Sequence, residues 1–515
     1  MNIAFIPIDN RPVCYTLPEQ VCAINSSINL FMPERKYLGS LTKYADVDKI
    51  FEWLEKIPQV DAIVMCLDTV AYGGLISSRR CPDAFDEIKN RVENLKSILE
   101  KKNAKIYAFS SIMRISNNNV NEEEKEYWDK WGKKIFDYSY QTHKLGTESC
   151  ISNIIPSEIL DDYLATRKRN FEINKLYLEY QKQGLFDTLV FSKDDCAEYG
   201  FNVQEAQVLE KLGGFIKTGA DEIPLTLLAR AVVKFFDAKM QRCKDAKSFT
   251  EPVAQSRHCE CERSNSVNSK VLGRDYCLDD ETSLKIFPIF LAPEYKDLIS
   301  NYEDVSIEKS VKGQLELAGC KVCEPDEADI LLYVNNFEDH QGEIVMKVPT
   351  KPFSKKWQRP EKPYMIADVR YANGADNEFV KQLFEVGLGD NFYGYSAWNT
   401  SANSLGSLIC GAVVKYYGFK LQRCQDDNSK TVDRDYYPDN KNENFLKLQT
   451  IRFLDDWAYQ ANVRQELNSP DEKLVKEKMK PYEKMVFGLL GVAYNISYKF
   501  TWNRLFEVEI CILPN

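Results

Sequence analysis

Residues 188–200 read TLVFSKDDCAEYG: a short apolar run with β-branched and aromatic side chains, adjacent carboxylates at Asp194 and Asp195, then a turn containing Gly200. This is how a buried parallel strand hands charged side chains to a solvent-facing edge. Neighbouring strand residues point to opposite faces, but the pleat ends where strand becomes loop, so both carboxylates can face one pocket. Like charges held that close raise one pKa and make an acid/base pair. The competing reading is an Asp pair capping the helix that starts after Tyr199.

The same pattern recurs on either side. NIAFIPI (2–8) runs into Asp9, Asn10 and Arg11 before Pro12, which cannot donate to a ladder and stops the strand. INLFMP (28–33) is a weaker copy, and DAIVMCLD (61–68) ends at Asp68. TVAYGGLISSRR follows, with Tyr72, the close-approach pair Gly73-Gly74, and Arg79. KIYAFSSIMR ends at Arg114, GFIKTGADE at Asp221 and Glu222, YMIADVR at Asp368 and Arg370, and FYGYSAWN at Trp398 and Asn399. Amphipathic helices separate the runs, one carrying Trp128, Trp131, Ile135 and Tyr138 on one face, and RFLDDWAYQANVRQEL reads as another.

Strands alternating with helices make parallel sheets, and about eight such runs are present. Polar groups at the carboxyl ends of parallel strands build the active sites of (β/α)8 barrels and doubly wound sheets alike. Capping explains any one strand-end Asp; a near-complete ring of them favours a functional mouth. The expected fold is α/β, a (β/α)8-barrel-like set of parallel strands interrupted by a small α/β subdomain, with two or three doubly wound domains as the alternative. The expected divisions are an N-terminal α/β part at 1–237, a polar insertion at 238–280 expected to be disordered, a small α/β subdomain at 281–360, and a C-terminal α/β part at 361–515 completing the site.

Composition prunes the chemistry. The chain has 515 residues, 44% of them hydrophobic, enough for a large core, and a net charge of −10, which argues against a nucleic-acid partner. No run is apolar enough to cross a membrane, the N-terminus lacks a signal-peptide pattern, and fifteen cysteines are scattered without a framework. The expectation is a soluble cytoplasmic protein. With only His143, His258 and His340, histidine mechanisms give way to carboxylates, and neither a P-loop nor a dinucleotide fingerprint is present.

PIDNRPV, LDTVAYGGLISSR, the R-x-R-N at Arg167–Asn170, DDCAEYG, GADE, DVRYANGAD, AWNTSANSLGS, RFLDDWAYQANVR and WNRLFE together resemble the motif series of bacterial domain-of-unknown-function family 4127. The resemblance spans nearly the whole chain and implies a bacterial protein. It brings no activity or catalytic assignment.

On residues, the first reading is a glycoside hydrolase acting on a small, N-acetylated or plain sugar. An Asp-Asp pair at a barrel strand end is similar to that of substrate-assisted N-acetylhexosaminidases, and Trp398-Asn399 to their sugar-holding pair. Asp195 would be the acid with a raised pKa and Asp194 its ionised partner. Asp68, Arg114 and Asn399 would grip hydroxyls, and Tyr72 or Trp398 would form the stacking floor. Asp9, Arg11, Arg79, Asp221, Glu222, Asp368 and Arg370 complete the candidate binding set. This reading needs no cofactor. A second reading is Mg²⁺-dependent phosphosugar chemistry, with Asp9, Asp68 and Asp194/Asp195 on the ion and Arg79, Arg114 or Gly73-Gly74 on phosphate. A third is a sugar-binding protein without chemistry. The expected partner in each is a small carbohydrate; the oligomeric state is left open.

Overall fold

In the computed structural model, which describes residues 1–194, 197–248, 283–426 and 442–514, the apolar runs pair into two separate parallel sheets. The first contains β1 (Asn2–Ile6), β2 (Asn29–Phe31), β3 (Ala62–Cys66), β4 (Lys105–Ile112), β5 (Thr188–Lys193) and β6 (Phe215–Thr218) in the order β2-β1-β3-β4-β5-β6. The second takes β7 (Lys285–Phe290), β8 (Lys321–Val322), β9 (Ile330–Asn335), β11 (Tyr364–Asp368) and β13 (Phe392–Ser396) in the order β13-β11-β9-β7-β8. Two short strands, β10 (Gly342–Glu343) and β12 (Tyr371–Ala372), pair beside it, and β14 (Asn495–Lys499) with β15 (Glu509–Leu513) forms an antiparallel hairpin. Both large sheets follow the doubly wound order in which the second strand lies outside the first and the later strands extend the other way.

The strands are apolar on both faces because both faces are covered. Ile3, Phe5, Val64, Cys66, Tyr107 and Phe109 enter one core, and their neighbours Ala4, Ile6, Ile63, Met65, Ile106 and Ala108 enter the other. Helices Val47–Lys56, Phe85–Leu99 and Ser157–Lys182 supply the second core. The first is closed by the helix Ile223–Ser248, which packs back on β3 and β4. That helix meets Ser401–Asp426, which lies on β11 and β13, so one continuous core joins the two sheets. At the seam the rings of Phe236 and Tyr417 stack 5.7 Å apart, and the Tyr417 hydroxyl donates to buried Asp237 at 2.6 Å.

The expected barrel is not formed: among the described residues no sheet closes. β6 is a half-buried edge, and β7 starts a new sheet by pairing with β8 and β9, in register at Ile286↔Ile330. A ring of strand ends arises equally from a barrel and from two open sheets sharing a mouth, and periodicity along the chain is the same in both. The second sheet also crosses the 360/361 division, since β9 pairs with β11. At Asp237 the chain does not leave the fold; helix continues to Ser248, and the polar run 249–282 lies outside the described residues. Among the described residues no helix is long and apolar enough to cross a membrane.

Candidate functional site

The carboxyl ends of both sheets border one cleft of about 500 Å³. Arg11, Arg114, Asp194 and Asp221 reach it from the ends of β1, β4, β5 and β6. Tyr302, Asn373, Asn399, Thr400 and Asn403 reach it from the second half. Arg464, Arg504 and Phe506 come from the C-terminal segments. Arg11 follows β1, next to the β1/β3 boundary where strand order reverses, the place where open α/β sheets bind ligands.

The charges in the cleft are ordered by pairing. Arg11 donates from Nε to Asp9 at 2.8 Å and through both terminal nitrogens to Asp221 at 2.9 and 2.5 Å, with its guanidinium 5.0 Å from the Trp502 ring. Arg504 donates to Glu507 at 2.7 and 2.5 Å and to Glu123 at 2.8 Å, and also stands over Trp502. Arg114 donates to Glu123 at 2.8 Å and Glu124 at 3.1 Å, and lies 3.5 Å from Asp194. Burial alone would raise the Glu123 carboxyl, but Arg114, Arg79 and Arg504 outweigh it and hold Glu123 well below the usual carboxylate range.

Asp194 does not cap the following helix. That helix, Phe201–Lys211, begins at Gly200 and is received by the preceding helix Trp128–Leu145: the Phe201 N–H donates to Ser139 Oγ at 2.8 Å, and Gly200 N–H to His143 Nδ1 at 3.0 Å. Asp194 is thereby left at the cleft beside Arg114, while Asp195 lies outside the described residues.

Five of the fourteen sequence candidates line the cleft: Arg11, Arg114, Asp194, Asp221 and Asn399. Most of the others are buried scaffold. Asp9 sits under Arg11 and orients it. Asp68 turns inward within the helix Leu67–Tyr72, accepts the Ser111 N–H at 2.8 Å, and is pushed by burial up to about 6. It does not line the cleft and cannot grip a ligand there. Arg79 is buried on Glu124 at 2.7 Å, bracing the acidic loop beneath Arg114. Asp368 accepts from Asn335 and Tyr395 and from the Asp376 N–H, and Arg370 donates to Asn335 and the Lys351 carbonyl, so these two fix strand ends. Tyr72 and Trp398 are buried, so neither forms a stacking floor; Trp398 lies under Phe506 with ring centroids 5.4 Å apart, and Phe506, with Tyr302, is an aromatic that does line the cleft.

Glu222 is the outlier. It is 1% exposed, and among the described residues neither carboxyl oxygen has a hydrogen-bond partner. Burial first, and the charge of Asp221 second, push its pKa well above the ordinary carboxylate value and favour the protonated form.

Among the described residues no three His, Cys, Asp or Glu side chains gather in a way that would hold a metal ion. Asp9 is committed to Arg11 and Asp68 to Ser111, so of the described residues named for Mg²⁺ it is Asp194 that lines the cleft.

Several cleft residues lay outside the candidates: Glu123, Asn373, Asn403, Arg464, Arg504 and Phe506. Arg464 and the Arg504/Phe506 pair fall in two of the long motifs, RFLDDWAYQANVR and WNRLFE, but neither motif follows a parallel strand. The first is also not one amphipathic helix. An α-helix ends at Arg452, a wide π-helix runs Phe453–Asn462, and a 3₁₀ turn Val463–Glu466 carries Arg464. The π geometry lets Asp456 accept from Arg452 at 2.8 Å and from the Ala397 N–H at 2.6 Å, anchoring the segment to the end of β13.

One family model, that of a protein of unknown function (DUF4127), matches residues 3–511. No curated protein and no solved structure matches the chain.

Proposed function

The chain belongs to the DUF4127 family, and we propose that this member is a carbohydrate-active enzyme, a glycoside hydrolase working in the cleft between its two parallel sheets. The observation that carries this reading is what the cleft offers: carboxamides (Asn118, Asn373, Asn399, Asn403), hydroxyls (Ser116, Thr400, Tyr302), carboxylates and the Phe506 ring within about 500 Å³. Such a surface matches a ring bearing several hydroxyls, which presents donors and acceptors at its edge and C–H groups on its face.

Asp194 is the ionised carboxylate of the reaction, favoured in that form by Arg114 at 3.5 Å. Asp195, next in sequence, is the acid that protonates the departing glycosidic oxygen. Asp221 is fully engaged by Arg11 and holds that guanidinium toward the ligand rather than transferring protons. The barrel comparison with N-acetylhexosaminidases does not carry over, because the strands form open sheets. What remains of it is the local idea of two adjacent carboxylates in separate protonation states.

The test is turnover of a panel of 4-nitrophenyl glycosides. Activity should survive EDTA and fall about 10²–10⁴-fold in Asp195→Asn, the range for loss of a general acid. Thermal stabilisation by sugars without turnover of any glycoside would leave a binding protein and sink the enzyme reading.

A further inference from the structure

Three of the four cleft arginines already have carboxylate partners: Arg11 on Asp9 and Asp221, Arg114 on Glu123 and Glu124, Arg504 on Glu507 and Glu123. Arg464 differs. Among the described residues its guanidinium makes one hydrogen bond, from Nη1 to the neutral Oε1 of Gln460 at 2.8 Å, and it lies 5.1 Å from the centroid of Phe506. Among the described residues no carboxylate comes within ion-pair distance of it. It is half-buried at the cleft wall, and burial lowers its pKa despite the more distant charges of Glu507, Glu343 and Asp455.

A guanidinium partly taken out of water with no carboxylate paired directly to it is costly, and the cost falls when an anion docks on it. The planar fork accepts the two oxygens of a carboxylate or phosphate at once, and stacking on Phe506 fixes its plane. We propose that Arg464 is a specificity residue that receives a carboxylate or phosphate substituent on the sugar, making the substrate class an acidic or phosphorylated saccharide. The inference rests on the carbohydrate reading for the sugar and on Arg464 alone for the anion. Asn373 and Phe506, which share the cleft wall with Arg464, are placed to contact the ring that bears this group.

Binding is measured by thermal shift and calorimetry with glucuronate, glucose 6-phosphate, glucose, malonate and inorganic phosphate, on the full chain and on Arg464→Gln and Arg464→Lys. Gln keeps a planar amide beside Gln460, and Lys keeps the charge without the fork. The expected result is that one of the two anionic sugars binds at least 10-fold more tightly than glucose. Arg464→Gln removes that preference, and Arg464→Lys restores part of it. Preference for glucuronate assigns a carboxylate; preference for glucose 6-phosphate assigns a phosphate. If malonate or phosphate binds through Arg464 while no sugar adds affinity, the anion site stands and the carbohydrate reading falls. If glucose binds as well as the anionic sugars, or if Arg464→Gln leaves anion affinity within twofold, the proposal is overturned while sugar binding stands. Failure of every anion to bind also overturns it.

Discussion

Replacing Glu222 by Gln should make the protein more stable, by an amount that grows with pH. Both oxygens of Glu222 are buried without a donor among the described residues, and Asp221, Arg452, Arg11 and Asp456 are the charges around it. Burial is the largest influence and Asp221 the next, and both raise the folded-state pKa well above the ordinary 4.5. For a carboxyl raised on folding, the native state holds a proton that the unfolded chain has released once the pH passes 4.5. Stability from this group is therefore complete below pH 4.5 and drains away as pH rises toward the folded pKa. The wild type therefore loses stability relative to a variant that cannot titrate as the pH climbs from 5 toward the folded pKa, at a slope of up to about 1.4 kcal/mol per pH unit. Urea unfolding of the wild type and Glu222→Gln at pH 5, 6 and 7 reads the difference directly, and any constant cost of the amide cancels from the slope. A difference flat to within about 0.5 kcal/mol over that range would show that Glu222 titrates normally and that the reasoning from its unpartnered burial is wrong.

Arg11→Gln should destabilise by about 3–5 kcal/mol in thermal or urea unfolding, because it strands Asp9 and Asp221 in a buried site; a loss under 1 kcal/mol would mean that water already compensates them. Lys415 donates to the Phe392 carbonyl at 2.7 Å above the Phe445 ring, and burial lowers it to about 7. The unfolded chain therefore holds a proton between pH 7 and the ordinary lysine pKa that the folded chain has released. The wild type should gain about 1.4 kcal/mol per pH unit from pH 8 to 10, and Lys415→Met should be the more stable protein at pH 7, with a margin that narrows as pH rises; a margin independent of pH would refute it.

The individual strands were legible because they are buried on both faces and end in turn chemistry. DAIVMCLD contains β3, which starts one residue into the run and ends two before its close, and KIYAFSSIMR starts with β4 and runs two residues past it. Which sheet a strand joins was not legible, because the pairing of Ile286 with Ile330 or of Tyr364 with Leu331 is a long-range choice that leaves no local periodicity. Strand-end position also fails to say whether a side chain turns out or in. Asp68 and Asp194 both follow β strands, yet Asp68 continues into a helix that swings its carboxylate to the Ser111 amide, while Asp194 stays at the cleft. The β14–β15 loop was least visible of all: its Trp502 indole donates to Asn10 at 2.7 Å, across nearly the whole sequence. Without that contact, nothing marks Arg504 and Phe506 as neighbours of the first strand end.

The helices Ile223–Ser248 and Ser401–Asp426 each follow the last strand of their sheet and meet in a shared core, with Phe236 stacked on Tyr417. The gap between the two halves is thus set by side-chain interdigitation, as the spacing of two gears is set by their teeth. Densely packed surfaces of this kind have a seated position and resist intermediate ones. The proposed ligand is then expected to enter past the rim segments that bear Arg464 and Phe506 rather than by swinging the halves apart. A substitution at Phe236 or Tyr417, well away from the mouth, changes how wide the mouth stands.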